Sequence, residues 1–254
     1  MIELTDFKYG KIFVSNKDFY IGKVLLESGQ YCDEEIDIVK MILSPNDNII
    51  EVGSNIGSLS IPMSQIIKNG TLYCIEPQQY IYNILCANIA INNIVNIKPI
   101  LSAIGDINSL IKMPIVNYEE ISNFGGVSII GNDNNGDVVK LQTLDTLFSD
   151  LKSVKLIKMD VEGLEAQVLL GGSNLIKRCR PFIYLENDRK ENTNKILSIL
   201  SDMGYKTYIH ISSIFNKPNY KNNNINCFDK NYIAINALAI PNEINETFGL
   251  EILK

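Results

Sequence analysis

Ile49-Ile50-Glu51-Val52-Gly53-Ser54-Asn55-Ile56-Gly57-Ser58-Leu59 is the stretch that decides the fold, and Leu72-Tyr73-Cys74-Ile75-Glu76-Pro77 follows it as the next apolar run. The apolar residues before Gly53 have the continuous hydrophobicity of a parallel strand that is covered on both faces. Gly53 and Gly57 let the backbone pass close to a ligand, and the helix that follows offers its unpaired N–H groups to it. The two segments therefore predict a strand, a tight turn, a helix and a second strand ending at Glu76, an arrangement that suits a nucleoside.

The spacing of the glycines separates two classes of nucleotide ligand. Dinucleotide-binding turns read G-x-G-x-x-G, and the middle glycine admits the pyrophosphate. That glycine is absent from Gly53-Ser54-Asn55-Ile56-Gly57. Glu51 would repel a pyrophosphate, but it can hold a cationic amino-acid head group directly or through water. The turn therefore favours S-adenosylmethionine, leaving a nicotinamide-dependent oxidoreductase and a βαβ unit without a ligand as the disfavoured alternatives.

A second strand, acidic turn and helix are predicted between Lys155 and Gly172, a segment that contains Lys158-Met159-Asp160-Val161-Glu162-Gly163. With the first motif, Ile75-Glu76-Pro77 and the later run Pro181 to Glu186, this block resembles the FkbM-type family of S-adenosylmethionine-dependent methyltransferases. The order of the blocks also matches, including Phe124-Gly125-Gly126-Val127-Ser128 and Leu141-Gln142-Thr143-Leu144-Asp145. The resemblance extends from about Tyr31 to Leu238 and implies a methyltransferase with S-adenosylmethionine as its cofactor. Glu51 and Ser54 stand where the family commonly has Asp and Ala, which are mild chemical changes.

Strands and helices alternate along most of the chain, as in an α/β protein with a Rossmann-like doubly wound methyltransferase sheet. We expect strands near 48–53, 71–76, 96–101, 155–160 and 181–186, and helices near 56–67, 78–92, 163–171 and 191–203. Short strands at 11–14 and 19–26 and a helix at 33–43 predict a small N-terminal extension, residues 1–44, on a domain of residues 45–254. Small strands are expected between 109 and 141. The resemblance implies a carboxy-terminal antiparallel strand pair at 205–212 and 231–238.

This fold predicts where a ligand binds. In doubly wound sheets the ligand lies beyond the carboxyl ends of the strands, near the point where the strand order reverses. We assign the methionine moiety of the cofactor to Glu51, Gly53, Ser54, Asn55 and Gly57, the ribose to Glu76 with the adjoining Pro77, and the adenine to the backbone of Ser102 and Ala103. Asp160 belongs to the same edge and, with Glu186, is expected to face the acceptor.

Methyl transfer to an oxygen requires alignment of two groups and removal of the hydroxyl proton, because an aliphatic hydroxyl is a poor acid. Asp160 and Glu186 are candidates for the general base. With Asn187 they also offer hard oxygen ligands for Mg²⁺ or another divalent cation, so a metal-assisted mechanism stays open. His210, the one histidine of the chain, is a further candidate for the base, against a structural role in its strand.

Composition limits the partners and the compartment. The formal charge of −6 and the pI near 5.0 argue against a nucleic-acid backbone as the main partner. The five cysteines are odd in number and lack a C-x-x-C spacing, so free thiols in the cytoplasm are expected. We find neither a signal peptide at the start nor an apolar run long enough to span a membrane.

The acceptor follows from the resemblance rather than from the composition. It implies O-methylation of a hydroxyl on a sugar or glycoconjugate, with a small natural product such as a polyketide or peptide metabolite as the alternative acceptor. A net acidic chain suits a neutral hydroxylated acceptor better than a polyanion. A non-catalytic binding or assembly subunit that retains a cofactor pocket is a hypothesis from another class. The sequence leaves the oligomeric state undecided, with a homodimer as one of the alternatives.

Overall fold

The computed structural model describes residues 1–129 and 135–253. Its strands are β1 (Ile2–Phe7), β2 (Gly10–Ser15), β3 (Ile49–Val52), β4 (Leu72–Glu76), β5 (Ile97–Leu101), β6 (Ala103–Ile104), β7 (Ser109–Lys112), β8 (Val138–Gln142), β9 (Leu156–Met159), β10 (Phe182–Glu186), β11 (Tyr205–Ser213), β12 (Ile233–Pro241) and β13 (Glu251–Ile252). Its helices are α1 (Ile21–Ser28), α2 (Asp33–Ile42), α3 (Ser60–Ile66), α4 (Gln79–Ile91), α5 (Leu144–Leu147), α6 (Glu165–Gly171), α7 (Ser173–Cys179) and α8 (Lys190–Asp202).

The main sheet has eight strands in the order β13-β11-β12-β10-β9-β3-β4-β5. From β5 to β10 neighbouring strands are parallel, and β12 is antiparallel to both β10 and β11. The chain runs outward from β3 through β4 to β5 and then resumes on the other side of β3 at β9, so the strand order reverses between β3 and β9. This confirms the predicted Rossmann-like doubly wound sheet with its carboxy-terminal antiparallel pair.

Each face of the sheet is covered by helices, which explains the unbroken apolar runs of the central strands. Ile49 packs with α2, α3 and α4 in one core, and its neighbour Ile50 packs with α6, α7 and α8 in the other. Successive side chains of a strand point to opposite faces, so both positions must be apolar. Both isoleucines are fully buried, and each contributes about 1.5–3 kcal/mol to stability by leaving water.

The N-terminal segment contains a hairpin of β1 and β2 that is tied to α4. The Asn88 side chain accepts a hydrogen bond from the Phe13 N–H (2.6 Å) and donates one to the Phe13 carbonyl (3.1 Å). The predicted strand at 19–26 is wrong, since residues 21–26 belong to α1 and residues 19–20 form a turn before it. The Asp18 carboxylate accepts hydrogen bonds from the N–H groups of Tyr20 and Gly22, both at 3.0 Å, and these bonds stabilise the start of the helix. The many residues with a high β propensity in this stretch led to the wrong prediction.

The insertion after β5 contains a separate sheet in the order β6-β8-β7, as predicted, although residues 130–134 of that prediction lie outside the described residues. The helix expected near 56 begins at Ser60, because residues 55–59 are used for the turn. Pro62 is therefore in the first turn of α3, where its missing N–H would have no partner in the helix. No helix in the described ranges is long and apolar enough to cross a membrane.

Candidate active site

The turn after β3 passes directly against the end of β9. Gly53 and Gly57 have φ angles of 82° and 88°, in the left-handed region that favours glycine. A Cβ atom on Gly53 would lie 1.9 Å from the carbonyl oxygen of Asp160, so a side chain has no space there. The Gly53 and Ser54 N–H groups donate to the Ile75 carbonyl at 2.9 and 3.0 Å, which fixes the turn on β4. The result is a surface of backbone atoms that a ligand can approach closely.

Glu76 ends β4 beside this turn. Its two carboxylate oxygens accept hydrogen bonds from the backbone N–H groups of Asn55 (3.0 Å) and Gln78 (2.9 Å). Each oxygen keeps a second lone pair, which suits two adjacent hydroxyl groups of a ribose. Burial raises the pKa of the carboxyl to about 7. Pro77 follows at the same edge and lines the adjoining cavity.

A first cavity runs from this edge towards β6. Its walls are mainly apolar, and its lining residues include Ile75, Ile104, Val127 and Leu164 together with Ser102 and Ala103. The Ser102 hydroxyl lies 3.0 Å from the carbonyl oxygens of both Ala103 and Lys140. The hydroxyl has a single proton, which is donated to one of these carbonyl oxygens. Ser102 and Ala103 can therefore contact a flat heterocycle through their backbone atoms.

A second cavity is continuous with the first, since both are lined by Gly53, Glu76, Gln78, Gly125, Asp160 and Glu162. It extends over Ser54 and Asn55 to Glu51, Lys158 and Glu186, and to Tyr20 and Tyr31 of the N-terminal segment. Glu51 is buried, accepts a hydrogen bond from the Ser60 hydroxyl, and faces this cavity from the floor. The structure therefore brings most of the predicted cofactor residues to one continuous cavity.

Three carboxylates meet where the second cavity borders Asp160. One oxygen from each of Asp160, Glu162 and Glu186 lies within 4.8 Å of the others. Burial, and next the repulsion from Asp160, raise the pKa of Glu186 to about 10, so its carboxyl is protonated at neutral pH. The same two causes raise the pKa of Glu162 to about 7, against the effect of Arg189, whose guanidinium lies 2.5 Å from Glu162. The cluster can hold and exchange protons near neutral pH.

The two remaining predicted residues lie to the side of this cluster. The Asn187 amide oxygen accepts a hydrogen bond from the Thr193 hydroxyl at 3.0 Å. His210 is on β11, in register with Asn236 of β12, which is itself paired with Glu186. Its Nδ1 lies 2.7 Å from the Tyr184 hydroxyl, and burial lowers its pKa. Neither Asn187 nor His210 is among the described residues that line the two cavities.

Part of the cavity wall was not predicted from the sequence. The Gln78 side chain donates to the Phe124 carbonyl at 2.9 Å and accepts from the Tyr118 hydroxyl at 3.0 Å, which holds the segment before Gly125 over the cavity. The Asn123 side chain accepts from the N–H groups of Gly125 and Gly126, both at 3.1 Å. The paired glycines are a usable signal in the sequence, whereas nothing marked Tyr20 or Tyr31.

The cavity fits S-adenosylmethionine on the chemistry of its lining. It offers backbone close to the ligand at Gly53, a carboxylate with free lone pairs at Glu76, an apolar slot beside Ala103, and a carboxylate for an ammonium at Glu51. Fold and site together define a methyltransferase that uses S-adenosylmethionine. Residues 51–207 match the family model described as the methyltransferase FkbM domain, and the chain belongs to this family.

Relatives with known names share parts of the chain. A stretch of 95 residues is 28% identical to the tRNA(Phe) (4-demethylwyosine(37)-C(7)) aminocarboxypropyltransferase of Methanocaldococcus jannaschii, covering 37% of this chain and 36% of that protein. The match thus spans about a third of that relative. Among solved structures, precorrin-6y C5,15-methyltransferase from Geobacter metallireducens is 12% identical, with a TM-score of 0.52 over 82% of this chain and 88% of that one.

A SAM-dependent O-methyltransferase from Thermotoga maritima is 11% identical, with a TM-score of 0.51 over 99% of this chain and 78% of that one. At such low identity the two structural similarities show a shared fold and carry no information about the acceptor. The acceptor must therefore be argued from the cavity itself.

Proposed function

We propose that the protein transfers the methyl group of S-adenosylmethionine to a hydroxyl oxygen of a sugar or glycoconjugate. The observation that carries this proposal is the position of Asp160 and Glu186 beside the second cavity, next to the turn at Gly53. A proton acceptor is needed at that place, because a hydroxyl must lose its proton as it is methylated.

The bound cofactor supplies a methyl group on a positively charged sulfur. Asp160 accepts the proton of the acceptor hydroxyl as the new oxygen–carbon bond forms and the carbon–sulfur bond breaks. The pKa of Glu186 is raised by burial and by Asp160, and the protonated Glu186 carboxyl hydrogen-bonds to Asp160. Glu186 then orients Asp160 for the transfer.

The charges around the second cavity support a neutral acceptor. Glu51, Glu76, Asp160, Glu162 and Glu186 all line it, and with Glu186 protonated the remaining carboxyls still give an acidic lining that would repel a phosphate-rich acceptor. Tyr20 and Tyr31 add rings and hydroxyl groups, which suit a sugar or another hydroxylated ring. The Tyr20 ring is held by Phe228 and Tyr232, with ring centroids 5.7 Å away in both cases.

A divalent cation is a second way for the same residues to act. The oxygens of Asp160, Glu162 and Glu186 suit Mg²⁺ by their chemistry, and Asn187 adds an amide oxygen next to Glu186 in the chain. A cation would lower the pKa of the acceptor hydroxyl and replace the proton acceptor. The metal-free form is placed first because Asp160 by itself supplies the proton acceptor that the reaction needs.

The acceptor can be tested with cofactor carrying a labelled methyl group. Purified protein is incubated with sugar nucleotides, cell glycans, lipid-linked glycans, polyketide and peptide scaffolds, and unmodified tRNA. We expect label in a sugar-containing fraction, and none with the Asp160→Asn variant. Label confined to a polyketide or peptide would replace the proposal with the natural-product alternative, and label confined to tRNA would exclude both. Cofactor binding without transfer to any acceptor would support the binding or assembly subunit.

A further inference from the structure

Lys158 is a buried cation in the middle of the sheet. It lies in β9, in register with Glu51 of β3 on one side and Tyr184 of β10 on the other. The side chain is 6% exposed, and its Nζ atom lies 3.7 Å from Oε2 of Glu35, which comes from α2. Lys158 is also one of the residues that line the second cavity, so this buried cation borders the space that a ligand would occupy.

The charges of the cavity make this position unusual. Lys158 is the one cationic residue among the described residues that line the second cavity, against five carboxylates. The neighbouring cation, Arg189, is paired with Glu162. Among the described lining residues, Lys158 therefore supplies the one attractive side-chain charge for a ligand that brings its own carboxylate into this cavity. S-adenosylmethionine is such a ligand, since its methionine moiety carries both an ammonium and a carboxylate.

Within the described part of the chain, the Lys158 ammonium has an ion pair with Glu35 but donates no hydrogen bond. The distance to Glu35 exceeds hydrogen-bond length, and no described residue accepts a hydrogen bond from the ammonium. Glu35 Oε1 accepts from Asn236 (3.2 Å) and Ser212 (3.3 Å), whereas its Oε2 has no hydrogen-bond partner among the described residues. Glu35 is thus held in place by Asn236 and Ser212, whereas the Lys158 ammonium can still donate hydrogen bonds to a ligand.

The position of Lys158 along β9 suits a contact with the cofactor rather than with the acceptor. Lys158 precedes Asp160 by two residues, so it lies about 7 Å further from the open edge of the sheet. At this depth its neighbour is Glu51, two residues before Gly53. The acceptor, by contrast, must reach Asp160 at the edge.

We propose that Lys158 binds the carboxylate of the cofactor's methionine moiety, and that Glu35 is the positioning residue that orients Lys158. Glu35 lies outside residues 51–207, so the N-terminal segment completes the cofactor site of the family domain. The inference requires S-adenosylmethionine as the cofactor and is independent of the acceptor. Its failure and a failure of the proposed O-methylation are therefore distinguishable.

The test compares three ligands by calorimetry and needs no turnover. S-adenosylhomocysteine has the complete amino-acid moiety, its decarboxylated analogue lacks the carboxylate, and 5′-methylthioadenosine lacks both charged groups. Wild-type protein should bind S-adenosylhomocysteine about 10- to 100-fold more tightly than the decarboxylated analogue, the usual effect of a hydrogen bond between charged groups. Equal affinities for these two ligands in the wild type would overturn the proposal, whatever happens to any variant.

Lys158→Met should remove that preference while leaving the affinity for 5′-methylthioadenosine unchanged. Equal weakening of all three ligands would assign Lys158 a structural role only, and an unchanged preference would exclude it as the partner of the carboxylate. Lys155→Met is the matched control, because Lys155 directly precedes β9 and is absent from the described cavity lining. If Lys158→Met does not fold, Glu35→Gln decides: the preference should shrink, and an unchanged preference would overturn the positioning role.

Discussion

Gly53 and Asp160 touch through their backbones: a Cβ on Gly53 would lie 1.9 Å from the Asp160 carbonyl oxygen, and the Asp160 N–H donates to the Val52 carbonyl at 3.0 Å. This contact joins the turn proposed to hold the cofactor to the residue proposed as the base. It occurs at the point where the strand order of the sheet reverses. The spacing between the proposed cofactor turn and the proposed base is therefore set by β3 and β9.

Gly53→Ala should disrupt this contact. At Gly249, where φ is 73° and nothing lies within 4 Å, the same substitution adds the left-handed backbone strain alone, about 1–2 kcal/mol. At Gly53 the new Cβ also collides with backbone, so the free energy of unfolding should fall by at least about twice as much. Chemical denaturation of both variants measures the difference. Equal losses at the two positions would contradict the close approach of β3 and β9.

Glu76 should make nucleoside binding dependent on pH. Burial raises its pKa to about 7, and ribose hydroxyls donate more strongly to the ionised carboxylate. The affinity for 5′-methylthioadenosine should therefore rise between pH 6 and pH 8, by up to about tenfold if only the ionised form binds. Glu76→Gln should bind more weakly, by about 1–3 kcal/mol, and show no such rise. Glu162→Gln is the control, since Glu162 also has a pKa of about 7 and should leave the rise intact.

Glu186 should reduce the stability of the ligand-free protein at high pH. Its carboxyl has a pKa near 4.5 when unfolded and about 10 when folded, chiefly because of burial. A raised pKa of an acid stabilises the fold fully only below the unfolded value, and that contribution is lost as pH rises towards the folded value. Glu186→Gln removes the titration, so relative to the wild type it should gain stability from pH 5 to pH 9.

The gain should be at most about 1.4 kcal/mol per pH unit for one proton. Urea denaturation at several pH values measures it. Asp188→Asn is a useful comparison, because this exposed carboxylate is one of the charges that raise the pKa of Glu186, so its removal should reduce the loss of stability at high pH without abolishing it. Parallel pH profiles for Glu186→Gln and the wild type would mean that Glu186 is ionised in the folded protein.

The central strands were predictable because burial on both faces leaves a strong signal. The predicted strands at 48–53, 71–76, 96–101, 155–160 and 181–186 each contain one of the observed strands β3, β4, β5, β9 and β10. The edge strands β1 and β13 and the short helices α5 and α7 were not predicted. Short or half-exposed elements carry little periodicity, and their stability comes from the neighbours on which they pack.

The candidate site was predictable only where residues follow the central strands. Gly53, Glu76 and Asp160 were assigned in this way, because all parallel strands end at the same edge. Tyr20, Tyr31 and Glu35 reach the same place through tertiary packing of the N-terminal segment. Glu35, for example, accepts a hydrogen bond from Asn236, far away in the sequence. Local patterns cannot reveal such contacts.

The hydrogen bond between Tyr184 and His210 is expected to be structural. Tyr184→Phe leaves the buried Nδ1 of His210 without its partner at 2.7 Å, so the free energy of unfolding should fall by about 1–3 kcal/mol. Methyl transfer by this variant and by His210→Gln should stay near the wild-type rate. Loss of a general base typically lowers the rate by about 10²- to 10⁴-fold. A loss of that size in His210→Gln, with cofactor binding intact, would make His210 the base.

The last prediction separates the metal-free and metal-assisted roles of Asp160 and Glu186. Without a metal, a chelator should not affect turnover, and Asp160→Asn should lower the rate by about 10²- to 10⁴-fold through lost proton transfer. Glu186→Gln should have a smaller effect, because Gln resembles the neutral carboxyl that Glu186 carries at neutral pH. Both variants should keep the affinity for 5′-methylthioadenosine, which confines the loss to the chemical step.

A metal-assisted reaction would give the opposite pattern. The chelator would abolish turnover, Mg²⁺ would restore it, and Asn187→Ala would increase the Mg²⁺ concentration that is required. Asn187 is suited to this test because its amide oxygen contacts Thr193 at 3.0 Å, so Thr193→Val is a control that removes the same hydrogen bond without removing a ligand. Chelator-insensitive turnover together with near-normal rates in Asp160→Asn and Glu186→Gln would exclude both carboxylates from the mechanism. The proton would then have to leave through another group.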